Sequence, residues 1–225
     1  MDPVFSNRIS IQWGQEDPYE DTDTWVLTAS NGKFVDARID LKTNTPQWLI
    51  TGEEVELPTK EGYVFSLKFV HDLDSVHGDN SENSVDCGHF KSLSDGSRLE
   101  EGEMYNILEK KSMPYKEIWQ SIDPVNSTPS KKSALVNDQC NGSSVSSVVW
   151  ELSAADAKNN ARGTFISIGN VSQGVVEYKG QFQCIRTWNN TVVYQYGSHV
   201  EEIFGRFMKG LSTHNDAFPW ERRYP

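Results

Sequence analysis

The stretch Tyr115-Lys116-Glu117-Ile118-Trp119-Gln120-Ser121-Ile122-Asp123-Pro124 lies near the middle of the chain, and its reading decides how the rest is divided. Tyr115, Ile118, Trp119 and Ile122 recur at helical spacing, which predicts a short amphipathic helix or turn stopped by Pro124. Read this way, the stretch is the hinge of a two-domain protein. Trp119 is then expected to be buried where the halves meet, with residues 1–112 and 113–225 forming separate domains.

On the N-terminal side the sequence reads as short strands separated by turns. Ile9 to Trp13 alternates, Trp25 to Ser30 follows an acidic loop, and Asn31-Gly32 is a two-residue hairpin signal before a strand from Phe34 to Leu41. Trp48 to Thr51 is another expected strand. Tyr63, Phe65, Leu67, Phe69 and His71 share one face of a strand running from Tyr63 to His71. The polar run from Asp72 to Gly88 is expected to be a rim loop, and Met104 to Leu108 to close the first domain.

On the C-terminal side, Asn126 to Ser147 reads as a surface segment. Strands are expected at Val148 to Leu152, Gly163 to Gly169, Val175 to Tyr178, Phe182 to Trp188 and Val192 to Tyr196, with turns at Lys179-Gly180 and Asn189-Asn190. Ala154 to Ala157 is a candidate helical turn and Val200 to Met208 a candidate short helix. Such spacing describes an antiparallel meander, which can close into a barrel and remove its edges.

Three stretches resemble the fungal Hri-type family, named for a yeast protein that interacts with a casein kinase. They are the Tyr-x-Glu-x-Trp pattern at Tyr115 followed by Asp123-Pro124, Trp25 to Phe34 leading to Gln47-Trp48, and Gly163 to Gly169 leading to Gln173-Gly174. The resemblance implies an all-β fold of two antiparallel lipocalin-like, calycin-type β-barrels joined by a short helical junction. It carries no catalytic motif over to this chain.

Composition narrows the function. The 225 residues are 36% hydrophobic and 11% aromatic, with seven Trp, enough for a core in each of two small domains. A formal charge of −11 repels phosphate backbones and anionic lipid, so neither nucleic acid nor a membrane is an expected partner. Cys87, Cys140 and Cys184 form no Cys-x-x-Cys pair and are expected as free thiols in a cytoplasmic protein, there being no signal-peptide pattern. The sequons at Asn126, Asn141, Asn170 and Asn189 then read as ordinary turn residues.

No nucleophile elbow, phosphate loop, dinucleotide fingerprint or zinc-protease motif is present, and no cofactor or metal is expected. Among the ionisable residues from His71 through Asp74, His77, Asp79, Asp86 and Cys87 to His89, only His71 shares a face with large apolar side chains. It reads either as a catalytic donor at the barrel rim, meeting a substrate that enters under the polar loop, or as a hydrogen-bonded strand-end histidine. Arg186, the second candidate catalytic residue, shares a strand face with Phe182, Cys184 and Trp188; either it needs a partner, an acid of the protein or an oxygen of a ligand, or Gln183, Ile185 and Thr187 face inward and leave it in solvent. Arg38 is expected outside, because Val35, Ala37, Ile39 and Leu41 make a convincing inner face. Trp25, Trp48, Tyr63, Phe65 and Phe69 are the expected substrate-binding wall.

Two functions follow. One is a cofactor-free cyclase or isomerase of fungal secondary metabolism that folds an apolar small molecule in a barrel cavity, including a pericyclase of the intramolecular Diels–Alder type, a chemistry that lipocalin-like barrels host in fungi. The other is a non-catalytic cytosolic protein-interaction protein of the Hri type, with a protein partner.

Overall fold

The structure, a computed structural model, describes residues 1–78, 85–127, 145–153, 160–208 and 218–223. Eight turn-bounded strands pair antiparallel in chain order: β1 (Val4–Trp13), β2 (Thr22–Thr28), β3 (Lys33–Asp40), β4 (Pro46–Leu57), β5 (Phe65–Asp74), β6 (Val85–Ser92), β7 (Arg98–Asn106) and β8 (Lys111–Ser121). β8 pairs back onto β1, from Ser6 opposite Ser121 to Trp13 opposite Tyr115, and closes the barrel. Gly32, at a φ of 83°, makes the expected turn between β2 and β3.

The expected hinge helix is therefore a strand. Tyr115, Glu117 and Trp119 alternate into the barrel, while Lys116 and Ile118 point away from its interior. The Tyr-x-Glu-x-Trp pattern is one face of β8, and its helical spacing is a coincidence of two periods sharing Tyr115 and Trp119. The division at 112/113 falls inside this strand. Trp119 packs with Leu67 and Phe90 inside the barrel and not between the halves.

The second unit is a sheet of six strands: β9 (Ser147–Leu152), β10 (Ala161–Ile168), β11 (Val171–Tyr178), β12 (Gln181–Trp188), β13 (Thr191–Tyr196) and β14 (Glu221–Arg223), in the order β13-β12-β11-β10-β9-β14. Lys179 and Gly180, then Asn189 and Asn190, take positive φ in the two expected hairpin turns. Among the described residues β13 and β14 do not pair, so this unit is an open sheet where a second closed barrel was expected. The candidate turn at Ala154 to Ala157, and Cys140, lie outside the described residues.

Both faces of this sheet are covered. On one, α1 (Val200–Phe204) and the tail residues Phe218 and Trp220 pack over Phe165, Val176 and Ile185. On the other, Ile166, Val175 and Trp188 pack against Trp25, Leu27 and Val35 from the outside of the barrel. Coverage of both faces leaves β10 to β12 buried along almost their whole length, polar residues such as Gln173, Gln183 and Arg186 included.

Candidate functional site

Docking the sheet onto the barrel settles which side of each barrel strand faces inward. On β3, Val35, Ala37 and Ile39 turn outward into the core shared with the second unit, leaving Phe34, Asp36 and Arg38 to the interior. Arg38 is thus inside, contrary to expectation, because the apolar face of β3 meets the second sheet and not the lumen. The same inversion sends Trp25 outward on β2, where it packs edge-on against Phe5 and Trp188 and lines no part of the lumen.

The interior encloses a cavity of about 450 Å³. Exposed Met1, Asp2, Glu56 and Thr59 mark its open end. At the other end Trp13, Trp48, Met104 and Tyr115 fill the barrel, and His77 of the β5–β6 connection packs against Trp48 and Tyr105. The mouth is therefore opposite the end of the barrel at which Ser75 to His77 follow β5, whereas entry was expected at the end of β5 that His71 marks.

One wall is apolar. Phe65 stacks on Phe90 with ring centroids 4.5 Å apart, and Leu67, Phe69 and Trp119 continue the surface. Phe65 and Phe69 therefore stand where the sequence placed them. Tyr63 precedes β5 and lines no part of the cavity; its hydroxyl donates to Glu101 at 3.0 Å, and Lys91 lies over its ring. Trp48 lies inside the barrel but below the cavity, its Nε1 donating to Asp74 Oδ1 at 2.8 Å and its ring covered by the Arg38 guanidinium at 4.8 Å.

The other wall is ionisable. Arg38 donates to Asp36 Oδ2 through Nε and Nη2 at 3.0 and 2.9 Å. Arg8 donates to Glu117 Oε1 at 2.6 Å and, through Nε, to Glu20 Oε2 at 2.8 Å. Glu100 accepts from the Tyr115 hydroxyl at 2.6 Å and from Trp119 Nε1 at 2.7 Å. Space for these groups comes from β6 and β7: a Cβ on Gly88 would sit 2.2 Å from Glu100 Oε1, and one on Gly102 2.8 Å from the Tyr115 hydroxyl. Burial, reinforced by neighbouring Glu117, raises the Glu100 carboxyl well above the ordinary range. Nearer the mouth, burial pushes Glu54 up to about 7 against the hydrogen bond from Thr28 and the charge of Arg98.

His71 projects into the cavity from β5, as expected from its parity with Phe65, Leu67 and Phe69. The one-residue bulge that follows, with Gly52 opposite His71 and Thr51 opposite Leu73, brings Asp74 back to the same side. Asp74 Oδ2 lies 2.8 Å from His71 Nδ1 and 2.9 Å from His77 Nδ1. An ionised carboxylate only accepts, so both Nδ1 atoms carry the proton, and His71 in its neutral form keeps a lone pair on Nε2. Burial would raise Asp74, but the bonds from His71, His77 and the backbone hold its carboxyl well below the usual carboxylate range. His71 Nε2 stands 3.9 Å from Asp86 Oδ1, beyond hydrogen-bond reach. Asp86 is pushed up to about 6 by burial, against the pull of His71 and Arg38.

Arg186 is not part of this constellation. It projects from β12 into the contact between sheet and barrel, only 1% exposed, between Trp25 and Tyr194. Its Nε donates to Gln173 Oε1 at 2.8 Å, and Nη2 to the carbonyls of Asp23 and Ala37 at 2.9 and 2.6 Å. Gln173 Nε2 donates in turn to the carbonyls of Trp25 and Val35. Of the two sequence readings, internal partnering holds, and the partners are barrel backbone oxygens and Asp23.

Asp36, Glu100 and Glu117 escaped the sequence reading as lumen groups, Asp86 was named only among the ionisable residues after His71, and Arg38 was expected outside. A period-two signal existed in Asp36-x-Arg38, masked by the apolar alternation of Val35, Ala37 and Ile39 on the opposite face, and in Tyr115-x-Glu117-x-Trp119, masked by the helical spacing of Tyr115, Ile118, Trp119 and Ile122.

Among the described residues no helix is long and apolar enough to cross a membrane, and Cys87 and Cys184 are free thiols. A search of curated proteins gives no match. The chain is similar in fold to the crystal structure of an uncharacterized protein, YLR301w, from Saccharomyces cerevisiae, with a TM-score of 0.77 at 20% identity over 100% of this chain and 99% of that one. The family model for Protein HRI1 matches residues 4–220, almost the whole barrel-and-sheet unit, and this chain belongs to the HRI1 family.

Proposed function

We propose that this chain binds a small, largely apolar molecule in the lumen of its eight-stranded barrel and acts on it without a cofactor, as an isomerase or cyclase. One observation carries the reading: a cavity of about 450 Å³ with one aromatic wall, into which His71 presents a ring already oriented by buried Asp74. Small-molecule sites have this composition, a mostly apolar surface with a few placed polar groups.

The chemistry that suits such a site is proton transfer. His71 Nε2 takes a proton from one carbon of the substrate while Asp74 stabilises the imidazolium, and returns it to a carbon two atoms away. One C–H bond breaks, one forms and a double bond moves, so no oxidant or second reactant is needed. A cyclisation of the intramolecular Diels–Alder type asks even less of the protein, since holding the reactive conformer removes much of an entropic barrier. The free thiols of Cys87 and Cys184 support a reducing compartment such as the cytosol for this activity.

Both reactions conserve mass, which defines the experiment. Incubating the protein with a fungal metabolite extract should convert one compound into another of identical mass, seen by chromatography with mass spectrometry, and the His71→Gln variant should not. Recovery of a bound compound with no mass-conserving change would make the chain a carrier. Recovery of neither would remove the lumen as its site.

A further inference from the structure

The ionisable wall of the cavity is not balanced. Arg38 is engaged with Oδ2 of Asp36, Arg8 with Glu117 and Glu20, and Glu100 with Tyr115 and Trp119. Two acceptors remain when these pairs are made. Asp36 Oδ1 is buried without a hydrogen-bond partner, on a residue only 4% exposed that lines the cavity. Asp86 Oδ1 is likewise buried and unpartnered, and also lines the cavity. Buried carboxylate oxygens without donors are costly, and a native fold keeps them where something else supplies the donor.

We propose that the deep end of the lumen receives a protonated amine, whose N–H groups donate to Asp36 Oδ1 and Asp86 Oδ1 while the apolar remainder of the molecule lies along Phe65, Phe69 and Phe90. The inference rests on the lumen being the ligand site and names the class of ligand. Charge decides for an amine over other donors. A hydroxyl has one proton and would satisfy one of the two oxygens, whereas an ammonium offers up to three N–H donors and a positive charge. An anion is disfavoured at the deep end, because the guanidiniums of Arg8 and Arg38 are already engaged by Glu117, Glu20 and Asp36 and what remains there is the two acceptor oxygens, while Arg98, whose Nε is also unpartnered, donates to Ser6 on the side of the mouth. The aromatic wall adds cation-accepting ring faces. The arrangement also places the substrate: an amine held by Asp86 puts its neighbouring carbons beside His71, whose Nε2 is 3.9 Å from Asp86 Oδ1.

Three probes of nearly equal shape test this: 4-phenylbutylamine, 4-phenylbutan-1-ol and 4-phenylbutyrate, each titrated into the full chain by calorimetry at pH 7.5. The expected result is that the amine binds at least tenfold more tightly than the alcohol and that the carboxylate binds weakest. Asp86→Asn should remove most of the amine's advantage over the alcohol. The ranking of probes on the unmodified protein stands without that variant, should it fail to fold. If the alcohol binds and the amine binds no better, the inference is overturned and the lumen site survives. An amine preference that persists undiminished in folded Asp86→Asn also overturns it. If none of the three binds, the lumen site itself is lost, and the inference with it.

Discussion

Glu100 sits inside the barrel with a tyrosine hydroxyl on one oxygen and an indole N–H on the other, and two paired glycines on the neighbouring strands β6 and β7 leave room for it and for Tyr115. Its partner Trp119 belongs both to this network and to the apolar wall with Leu67 and Phe90. Trp119→Ala should therefore lower unfolding free energy by roughly 3 to 5 kcal/mol, the range for an aromatic removed from a core, measurable by chemical denaturation. Asp86 gives a prediction in pH. Its ordinary value is 3.8 and its folded-state value about 6, so between these the folded protein holds a proton that the unfolded chain has released. The associated stability is present at about pH 4 and lost as pH rises past 6. Asn carries no such charge. Asp86→Asn should thus gain stability relative to the parent between pH 4 and pH 7.5, by on the order of 2 kcal/mol. A difference that does not change with pH would mean that Asp86 is not desolvated in the folded state.

Strands β3 and β8 show what was legible at the level of elements and what was not. The existence of β2, β3, β5 and β9 to β13, and the Asn31-Gly32 turn, followed from alternation and turn chemistry, which are local signals. Which face of β3 turned inward did not, because Val35, Ala37 and Ile39 are buried against a sheet more than a hundred residues away. A strand covered on both sides has no solvent face to orient it. β8 was misread for a related reason: Tyr115 and Trp119 satisfy period two and period four alike, and Ile118 and Ile122 tipped the count toward a helix. The alternation of β5 did put Phe65, Phe69 and His71 on the lumen side, while Arg38 was expected outside and Asp36 and Glu117 were passed over. Arg186 on β12 joins the two units through barrel carbonyls and Asp23. Arg186→Met leaves these acceptors and Gln173 without their donor, and should destabilise the protein by roughly 3 to 5 kcal/mol. Because Arg186 is remote from the lumen, the affinity for 4-phenylbutan-1-ol should not change in the folded variant. A loss of binding there would restore Arg186 to the site.

The whole molecule is a closed barrel whose outer apolar face is covered by a second sheet, itself covered by α1 and the tail. This arrangement moves part of the core outside the barrel and leaves its interior to polar groups and a cavity, within the width of an eight-stranded barrel, which holds either packed side chains or one small ligand. The central claim is that this interior is the binding site. Fluorescence titration with the neutral probe N-phenyl-1-naphthylamine tests it, comparing the parent with Leu67→Trp, in which a larger side chain occupies the cavity beside Phe90 and Trp119. The account predicts saturable enhancement with one probe per chain in the parent and none in the variant, with both proteins folded by thermal denaturation. Equal enhancement in the two, or none in the parent, would contradict it.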